Sequence, residues 1–424
     1  MSPFAYVDGA LHAEGVPLAQ LAAELGTPCY VYAATAMRAR VRAFARAFAG
    51  QRHLLCYAVK ANSNLAVIRL LADEGAGADT VSGGEVARAL AAGVPPERIV
   101  YAGVAKTDEE IRFALGQGIL QFNVESVQEL RRIDELAQAM GRRAPVALRI
   151  NPDVVAGTHD KISTGRREDK FGIPWDEAAE VFALADGLAG VEPVGVHLHI
   201  GSQITRLAPF EAAYRRAVEL YAGLRAQGIG LRRLDLGGGV GVRYRDEEPI
   251  PPEAFAAMVQ GLTQGLDCEL LLEPGRALVA EAGALLSRVI YRKEAGGRRF
   301  LILDSGMHVL LRPALYGAFH EVVPVAAPAE GVPLLPMDVV GPICESSDIL
   351  GRDRLLPLLD RGDLVAILGA GAYGAVMAST YNSRPSPAEV LVEGARHAVI
   401  KPRREPELQF ADERIPDWLG RDRR

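Results

Sequence analysis

Eight short apolar runs, each followed by room for a helix, occupy residues 34–278 of the 424-residue chain. The runs are LLCYAV from 54, GADTVS from 77, RIVYAG from 98, ILQFNV from 119, VALRIN from 146, GVHLHI from 195, LRRLDL from 231 and ELLLEP from 269. Such runs are typical of buried parallel strands, and the stretches between them carry apolar residues at helical spacing, as Met37, Val41, Phe44 and Phe48 do. Repeated βα units of this length predict an α/β fold, a closed (β/α)8 barrel of the TIM type. An open doubly wound sheet is the alternative.

The helical pattern fades after residue 279, where short runs punctuated by Gly and Pro indicate strands. These runs are ALLSRVIYRKE, RRFLILD, EVVPVAA, MDVVGPICES, DLVAILG, AEVLVEG and RHAVIKP. An Asp8-Gly9 turn within FAYVDGALHA predicts an N-terminal hairpin that joins them. The predicted organisation is a barrel over residues 34–278 and a second, mostly β-stranded domain built from residues 1–33 and 279–424.

The connection after the fifth apolar run is longer and more polar than the others. It reads NPDVVAGTHDKISTGRREDKFGI, residues 151–173, before a helix resumes at WDEAAEVFALA. Long polar insertions that follow a barrel strand usually lie at the catalytic face, where the strands have their C-terminal ends. We therefore expect this segment at the catalytic face.

Composition and charge exclude several classes of protein. Charged residues make up 24% of the chain and the net charge is −6, so no excess of basic residues favours nucleic acid or an acidic membrane surface. No apolar stretch approaches the roughly 20 residues that span a bilayer, and the N-terminus MSPFAYVDGA lacks the pattern of a signal peptide. The four cysteines form no C-x-x-C pair, which argues against structural zinc and for a reducing compartment. We expect a cytoplasmic enzyme.

In a barrel of this type, functional groups lie at the C-terminal ends of the strands. The candidates there are Lys60, His197, His199, Ser202, Gly237, Gly238, Gly239, Glu273 and Arg276. Taken singly, each has a commoner explanation: a surface lysine, a tight glycine turn, a surface salt bridge, or histidines that pack in the core or bind a metal.

A phosphorylated aldehyde cofactor explains these groups together. A lysine whose pKa is lowered by burial forms a Schiff base, and a glycine loop offers N–H groups to a phosphate. A carboxylate keeps a pyridine nitrogen protonated, and an imidazole can stack on the ring. The residues thus indicate pyridoxal 5'-phosphate, with Lys60 as its anchor.

Longer motifs in the same order along the chain carry a family resemblance. They are YAVKANSN, GADTVSGGE, NPDVVAGTHDKISTG with KFGI, HLHIGSQI, LDLGGG, EPGRALVA, RPALYGAFHEVVPV, GPICESSDIL and GAYGAVMASTYNSRP. Through them the chain resembles the fold-type III pyridoxal-phosphate-dependent decarboxylases over nearly its whole length, and most closely the diaminopimelate decarboxylases among them.

The resemblance implies a role for each matching position. Lys60 is the expected Schiff-base lysine, His199 the ring that stacks on the cofactor, and Glu273 the partner of the pyridine nitrogen. The expected cofactor site comprises Lys60, Asp79, His199, Ser202, Gly237, Gly238, Gly239, Glu273, Gly275, Arg276 and Tyr373. The expected substrate site comprises Arg276, Arg312, Tyr316, Glu345 and Tyr373. Cys344 is the expected proton donor, in a CESSD loop that reaches the active site of the partner subunit in a homodimer.

The reaction implied by the resemblance is decarboxylation of meso-2,6-diaminopimelate to L-lysine and CO2, the last step of lysine biosynthesis. The far carboxylate and amine of this substrate need a guanidinium and a nearby acid, and Arg312 and Glu345 suit these tasks. Cys344 or Lys60 then returns a proton to the carbon that lost CO2. From the residues alone, Cys344 would be a small buried apolar side chain and Arg312 a loop arginine. No metal is expected.

Three alternatives stay open at this point. The first is a related decarboxylase of the same fold that acts on ornithine, arginine, a carboxylated polyamine or a specialised-pathway substrate. The intact RPALYG, which contains Arg312, counts against substrates without a far carboxylate. The second is a metal-dependent barrel hydrolase that uses His197 and His199. The third is a non-catalytic pyridoxal-phosphate carrier, which would leave CESSDIL without a purpose.

Overall fold

The computed structural model describes residues 2–154 and 170–419, and contacts divide them into two compact units. The barrel unit contains residues 2–3, 33–283 without 155–169, and 369–376. The β unit contains residues 4–32, 284–368 and 377–419. Residues 155–169, which form most of the polar insertion predicted at the catalytic face, lie outside the described residues. Among the helices of the described chain, none combines the length and hydrophobicity that a bilayer crossing requires.

The N-terminal segment begins with the predicted hairpin. Its elements are β1 (Phe4–Val7), β2 (Ala10–Ala13), β3 (Val16–Pro17), α1 (Leu18–Leu25) and β4 (Cys29–Ala33). Strands β1 and β2 pair antiparallel across Asp8 and Gly9, which have φ of +50° and +80°. Positive φ at both turn residues is what a tight hairpin of right-twisted strands needs, so the Asp-Gly signal is confirmed.

The barrel unit contains the predicted closed barrel. Its strands are β5 (His53–Ala58), β6 (Gly77–Thr80), β7 (Ile99–Tyr101), β8 (Gln121–Val124), β9 (Ala144–Asn151), β10 (Ile173–Pro174), β11 (Val191–His197), β12 (Arg233–Asp235) and β13 (Glu269–Leu272). Eight of them pair in parallel in the ring β5-β6-β7-β8-β9-β11-β12-β13, and β13 pairs with β5 to close it. The two-residue β10 pairs with β9 alone. Each of the eight apolar runs coincides with one ring strand, so the barrel is confirmed and the open sheet is wrong.

Helices alternate with the barrel strands along the chain, and the first of them precedes β5. They are α2 (Ala34–Ala47), α3 (Leu65–Asp73), α4 (Gly83–Ala91), α5 (Asp108–Gln117), α6 (Val127–Ala139), α7 (Ala178–Gly187), α8 (Leu207–Ala226), α9 (Pro252–Thr263) and α10 (Arg276–Val279). Several begin at a capping side chain: Ser82, Thr107 and Ser126 each accept a hydrogen bond from the backbone N–H three residues later. Helix α2 buries the predicted face of Met37, Val41 and Phe44. The caps and apolar faces fix where these helices begin and which side packs on the barrel. The C-terminal ends of the strands, which carry the candidate residues, therefore lie at one mouth of the barrel.

The β unit is mostly strand, as predicted. Its further elements are β14 (Gly283–Ala295), β15 (Arg298–Leu303), α11 (Arg312–Tyr316), β16 (Val322–Pro324), β17 (Leu335–Val340), β18 (Ile349–Leu356), β19 (Leu364–Leu368), β20 (Ala388–Glu393) and β21 (Arg396–Lys401). The sheet runs β18-β17-β15-β14-β4-β20-β21, and β19 pairs with both β14 and β16. Each of the seven predicted runs contains a strand. Strands β4 and β18 were not predicted, because β4 precedes the barrel pattern and β18 carries three consecutive charged residues, 352–354.

Residues Gly369–Val376 belong to the barrel unit, whereas the sequence placed them in the β-rich domain. Backbone N–H groups explain this: Ala370 donates to Gly283, Gly371 donates to Ala280, and Tyr373 donates to Ala61 at 2.7 Å. These bonds join positions far apart along the chain, which no local pattern reveals. The boundaries predicted at residues 34 and 278 otherwise stay a prediction.

Buried His308 makes the β unit sensitive to acid. Burial, together with nearby Arg384, lowers the pKa of His308 to about 4 from a usual value of 6.5. Between these values the unfolded chain binds the proton and the folded chain does not, so stability is lost as pH falls through this window. We expect the wild type to lose about 2 kcal/mol more than His308→Gln between pH 7 and pH 5, measured by urea unfolding. Equal losses in the two proteins would contradict this prediction.

Candidate active site

Lys60 lies just beyond β5, in a single 3-10 turn formed by Val59–Ala61. The strand therefore ends one residue earlier than the predicted apolar run, which extends to Val59. Lys60 Nζ donates to Asp79 Oδ2 at 2.8 Å, and Asp79, on neighbouring β6, is fully buried. The other carboxylate oxygen of Asp79 has no hydrogen-bond partner among the described residues. The mouth of the barrel thus holds the Lys60–Asp79 ion pair, in which Asp79 Oδ1 accepts no hydrogen bond from the described residues.

The pKa of Lys60 is raised, not lowered as the sequence interpretation held. Burial disfavours the ammonium form, but the adjacent Asp79 carboxylate and the more distant Glu273 outweigh it. An ion pair that forms within the barrel therefore reverses the effect expected from burial alone. Lys60 is therefore an ammonium group that compensates the negative charge of the Asp79 carboxylate.

The glycine loop after β12 is fitted against neighbouring strand ends. A Cβ on Gly237 would lie 2.3 Å from the Leu198 carbonyl oxygen, and φ there is +64°. A Cβ on Gly238 would lie 2.2 Å from the Glu273 carbonyl oxygen, and one on Gly239 would lie 2.4 Å from the Gly201 carbonyl oxygen. The three glycines are therefore required for close backbone approach.

Gly275, which precedes α10, is packed almost as closely. A Cβ there would lie 3.0 Å from the Ala58 side chain and 3.1 Å from that of Ala61, on either side of Lys60. Gly275 and the glycine loop after β12 thus leave the backbone beside Lys60 without side chains.

The sequence predicted that His197 and His199 lie on one strand. This is wrong, because β11 ends at His197 and His199 follows it. The Gly238 N–H donates to His199 Nδ1 at 3.2 Å. Because Nδ1 accepts, the proton of the neutral ring is on Nε2. Burial, followed by the positive charges of Arg149 and Lys60, lowers the pKa of His199 well below its usual value. The structure thus presents a neutral imidazole against the glycine loop.

Glu273, at the end of β13, belongs to a buried polar network inside the barrel. The Asn123 amide donates to both Glu273 Oε1 and Asp235 Oδ2, at 3.1 Å each, and His197 Nε2 lies 3.3 Å from Glu273 Oε2. Burial raises the pKa of both carboxyl groups; the charge of Glu273 adds to the effect on Asp235, and the charge of Asp79 adds to the effect on Glu273, which a hydrogen bond with Asp235 partly offsets. The network therefore stabilises a state in which one of these two acids keeps a proton.

His197, Asp235 and Glu273 could also hold a metal by distance, since their ligand atoms lie within 4.8 Å of one another. However, Asn123 places amide hydrogens against both carboxylates, where a cation would need lone pairs. The arrangement fits proton sharing better than the metal-dependent hydrolase considered from the sequence.

The Asn123 amide is expected to support both acids energetically. Asn123→Leu keeps the volume but leaves two buried carboxyl groups short of a donor, so we expect the free energy of unfolding to fall by about 2–3 kcal/mol. Urea unfolding of this variant measures the loss. Exposed Gln227→Leu is the control, with an expected change within about 0.5 kcal/mol. A loss no larger than that of the control would contradict the network.

Arg276 opens α10 and is buried among aromatic and hydroxyl groups. Its guanidinium donates to Ser202 Oγ at 3.2 Å and to the Tyr244 hydroxyl at 2.8 Å, and it lies 5.0 Å from the Tyr373 ring centre. Arg276 Nε has no hydrogen-bond partner among the described residues. Tyr373 has φ of +56°, unusual for a residue with a side chain, and the hydrogen bond to Ala61 holds it there. A charged fork thus lies beside Ser202 and Tyr373.

The remaining predicted residues lie in the β unit. Arg312 is buried and Tyr316 half-buried on α11, whereas Cys344 and Glu345 are exposed. Glu345 accepts from the Tyr381 hydroxyl at 2.6 Å and from the Ser347 hydroxyl at 2.9 Å, and these bonds lower the pKa of Glu345. Cys344 is therefore not the buried apolar side chain that its local sequence indicated.

Several residues of these sites were not singled out from the sequence. They are Asn123, Asp235, Tyr244 and Tyr381. For Asn123 and Asp235 a signal exists, because a polar residue inside an apolar barrel strand must find partners in the interior. For the others the contacts come from distant segments, and no local signal marks them.

Comparisons with known proteins show the family of the chain. The family described as "Pyridoxal-dependent decarboxylase, pyridoxal binding domain" matches residues 34–280. Diaminopimelate decarboxylase of Zymomonas mobilis is 48% identical over 424 residues, which cover 99% of this chain and 100% of that protein.

Two solved structures are also similar. Diaminopimelate decarboxylase of Helicobacter pylori, complexed with L-lysine, is 45% identical with a TM-score of 0.90, and the match covers 93% of this chain and 99% of that one. The enzyme of M. jannaschii, also with L-lysine, is 37% identical with a TM-score of 0.93, and the match covers 98% and 99%.

Proposed function

Because the chain belongs to the family of pyridoxal-dependent decarboxylases, we propose that it converts meso-2,6-diaminopimelate to L-lysine and CO2, the last step of lysine biosynthesis. The observation that carries this proposal is one barrel mouth with the Lys60–Asp79 pair, the glycine loop and Glu273, in a chain related to diaminopimelate decarboxylases over its whole length. Related decarboxylases with other substrates and a carrier without activity become outcomes of the test below.

The cofactor is pyridoxal 5'-phosphate, and the residues of the barrel unit fit it. Lys60 supplies an amine, the glycine loop brings bare backbone against the strand ends beside it, and the Nε of buried Arg276 has no hydrogen-bond partner among the described residues. The residues that would hold the cofactor are Lys60, Asp79, His199, Ser202, Gly237, Gly238, Gly239, Glu273, Gly275, Arg276 and Tyr373. When bound, pyridoxal phosphate supplies an electron-withdrawing ring that stabilises the carbanion left by departing CO2.

The chain's own groups have distinct tasks around that chemistry. Asp79 holds Lys60 Nζ in place and favours the protonated form of Lys60. The network of Asn123, Asp235 and Glu273 keeps a proton available at the buried end of the site. Neutral His199 offers a flat face without adding a second positive charge to that of Lys60.

Substrate recognition is assigned to the five residues that the resemblance implies. Arg276, Arg312 and Tyr316 bind the carboxylates of the substrate, and Glu345 and Tyr373 complete the pocket. Within this set, Arg312 suits the far carboxylate and Glu345 the far amine. The bond from the Tyr381 hydroxyl supports this task, because it keeps Glu345 ionised and in a defined position. A substrate without the far carboxylate leaves Arg312 without its ligand.

Cys344 is proposed as the proton donor to the carbon that lost CO2, with Lys60 as the other group able to serve. Exposure of Cys344 and Glu345 on the CESSD loop supports the proposal that this loop enters the active site of the partner subunit in a homodimer. We propose that the homodimer works in the cytoplasm, where the free cysteine stays reduced.

Carbon dioxide release from meso-diaminopimelate, with and without added pyridoxal phosphate, tests the proposed function. Ornithine and lysine are the comparison substrates, and chromatography identifies the product. We expect cofactor-dependent release from meso-diaminopimelate alone, with L-lysine formed in equal amount. Release from ornithine instead would contradict the substrate assignment. A protein that binds the cofactor but releases nothing from any of them would contradict the activity.

A further inference from the structure

Arg312, on α11 of the β unit, is held by a histidine that the proposed function does not use. Arg312 Nη1 lies 2.7 Å from Nε2 of His320, and both side chains are buried. On its other side, His320 Nδ1 lies 2.9 Å from the carbonyl oxygen of Leu368, the last residue of β19. A chain of contacts thus runs from the backbone of β19 through the imidazole to the guanidinium.

The chemistry of the three groups fixes where the protons lie. A guanidinium has only donors, so Nε2 of His320 must accept. A carbonyl has only lone pairs, so Nδ1 of His320 must donate to Leu368. His320 is therefore a neutral imidazole with its proton on Nδ1, and both ring nitrogens are engaged. The neutral state follows from the partners and their distances.

We propose that His320 is a positioning residue that fixes the Arg312 guanidinium for a carboxylate ligand without neutralising its charge; this role rests on the proposed function. A carboxylate in the place of the imidazole would also hold the arginine, but it would compete with the ligand for the same charge. A neutral acceptor restricts a side chain that otherwise loses considerable conformational freedom on binding. Selectivity for ligands with a far carboxylate then depends on His320.

A pair of ligands that differ by one carboxylate tests this role. L-Lysine keeps the carboxylate assigned to Arg312, and 1,5-diaminopentane lacks it. Competitive inhibition constants for both, measured on the pyridoxal-phosphate-loaded protein with meso-diaminopimelate as substrate, separate loss of the carboxylate contact from general damage. Three variants are compared: His320→Gln, which keeps a neutral acceptor; His320→Glu, which keeps an acceptor but adds a negative charge; and His320→Leu, which keeps none.

We expect His320→Leu and His320→Glu to weaken L-lysine binding by about 10- to 100-fold, the usual effect of losing a hydrogen bond to a charged group. Binding of 1,5-diaminopentane should change by less than about threefold. His320→Gln should recover most of the L-lysine affinity. If His320→Leu does not fold, the comparison of Gln with Glu decides, since both keep an acceptor of similar size.

The outcomes separate this role from the proposed function. A wild type that binds L-lysine no better than 1,5-diaminopentane would overturn the assignment of Arg312 and this role with it. If the wild type prefers L-lysine to 1,5-diaminopentane and all three variants keep this preference, the role of His320 alone is overturned. Equal weakening of both ligands would also overturn it, because that pattern shows a structural residue.

Discussion

Lys60→Ala is expected to lower kcat for meso-diaminopimelate by about 10³-fold or more. Lys60 supplies an amine at the barrel mouth, where it pairs with Asp79, and it is also a group that can move protons there. A positioned proton-transfer group alone contributes about 10²- to 10⁴-fold. The variant also leaves Asp79 buried without its cation, so a loss of stability accompanies the loss of rate.

Single-turnover CO2 release, with saturating pyridoxal phosphate, measures this effect. Exposed Lys293→Ala is the matched control and should keep wild-type activity. Thermal unfolding of both variants shows whether Lys60→Ala is folded at the assay temperature. A folded Lys60→Ala protein with more than about a tenth of wild-type kcat would contradict the role of Lys60.

Gly238→Ala is expected to weaken pyridoxal-phosphate binding and activity by roughly 10²-fold each. The added Cβ would lie 2.2 Å from the Glu273 carbonyl oxygen, a backbone atom that cannot rotate away. The loop must therefore shift away from β13, and a displacement of about 1 Å in a positioned site costs about 10²-fold. The hydrogen bond from the Gly238 N–H to His199 is lost in the same movement.

Absorbance titration with pyridoxal phosphate gives the affinity of this variant. Gly261→Ala provides the control, since Gly261 lies on α9 with open space around its would-be Cβ. We expect the control to bind the cofactor like the wild type and to gain about 0.5–1 kcal/mol of stability. Unchanged affinity in Gly238→Ala would show that the glycine loop does not shape the cofactor site.

The closed barrel could be predicted because its signal is local. Each of its eight ring strands is a short apolar run, and the stretches between them carry helical periodicity and caps such as Thr107. The Asp8-Gly9 hairpin is equally local. Candidate residues at the ends of β5, β12 and β13 followed from the barrel itself, since its strand ends converge.

The rest depends on contacts that a single sequence does not contain. The position of residues 369–376 rests on backbone hydrogen bonds to segments about 90 and 310 residues away. The raised pKa of Lys60 rests on Asp79 on the next strand, so burial alone gave the wrong direction. The neutral state of His320 became evident only when Arg312 and the Leu368 carbonyl were both seen beside it.

The roles assigned from the resemblance also differ in how much geometry supports them. Lys60, Glu273 and the glycine loop have defined contacts within one barrel unit. Cys344 and Glu345 belong to an exposed loop of the β unit, and the role proposed for them requires a homodimer.

Reductive trapping shows directly which lysine anchors the cofactor. The protein is loaded with pyridoxal phosphate, reduced with borohydride, digested, and analysed by mass spectrometry to find the lysine that carries the pyridoxyl group. We expect the group on Lys60, within the peptide that contains YAVKANSN. A pyridoxyl group on another residue, such as buried Lys106, or on none, would contradict it.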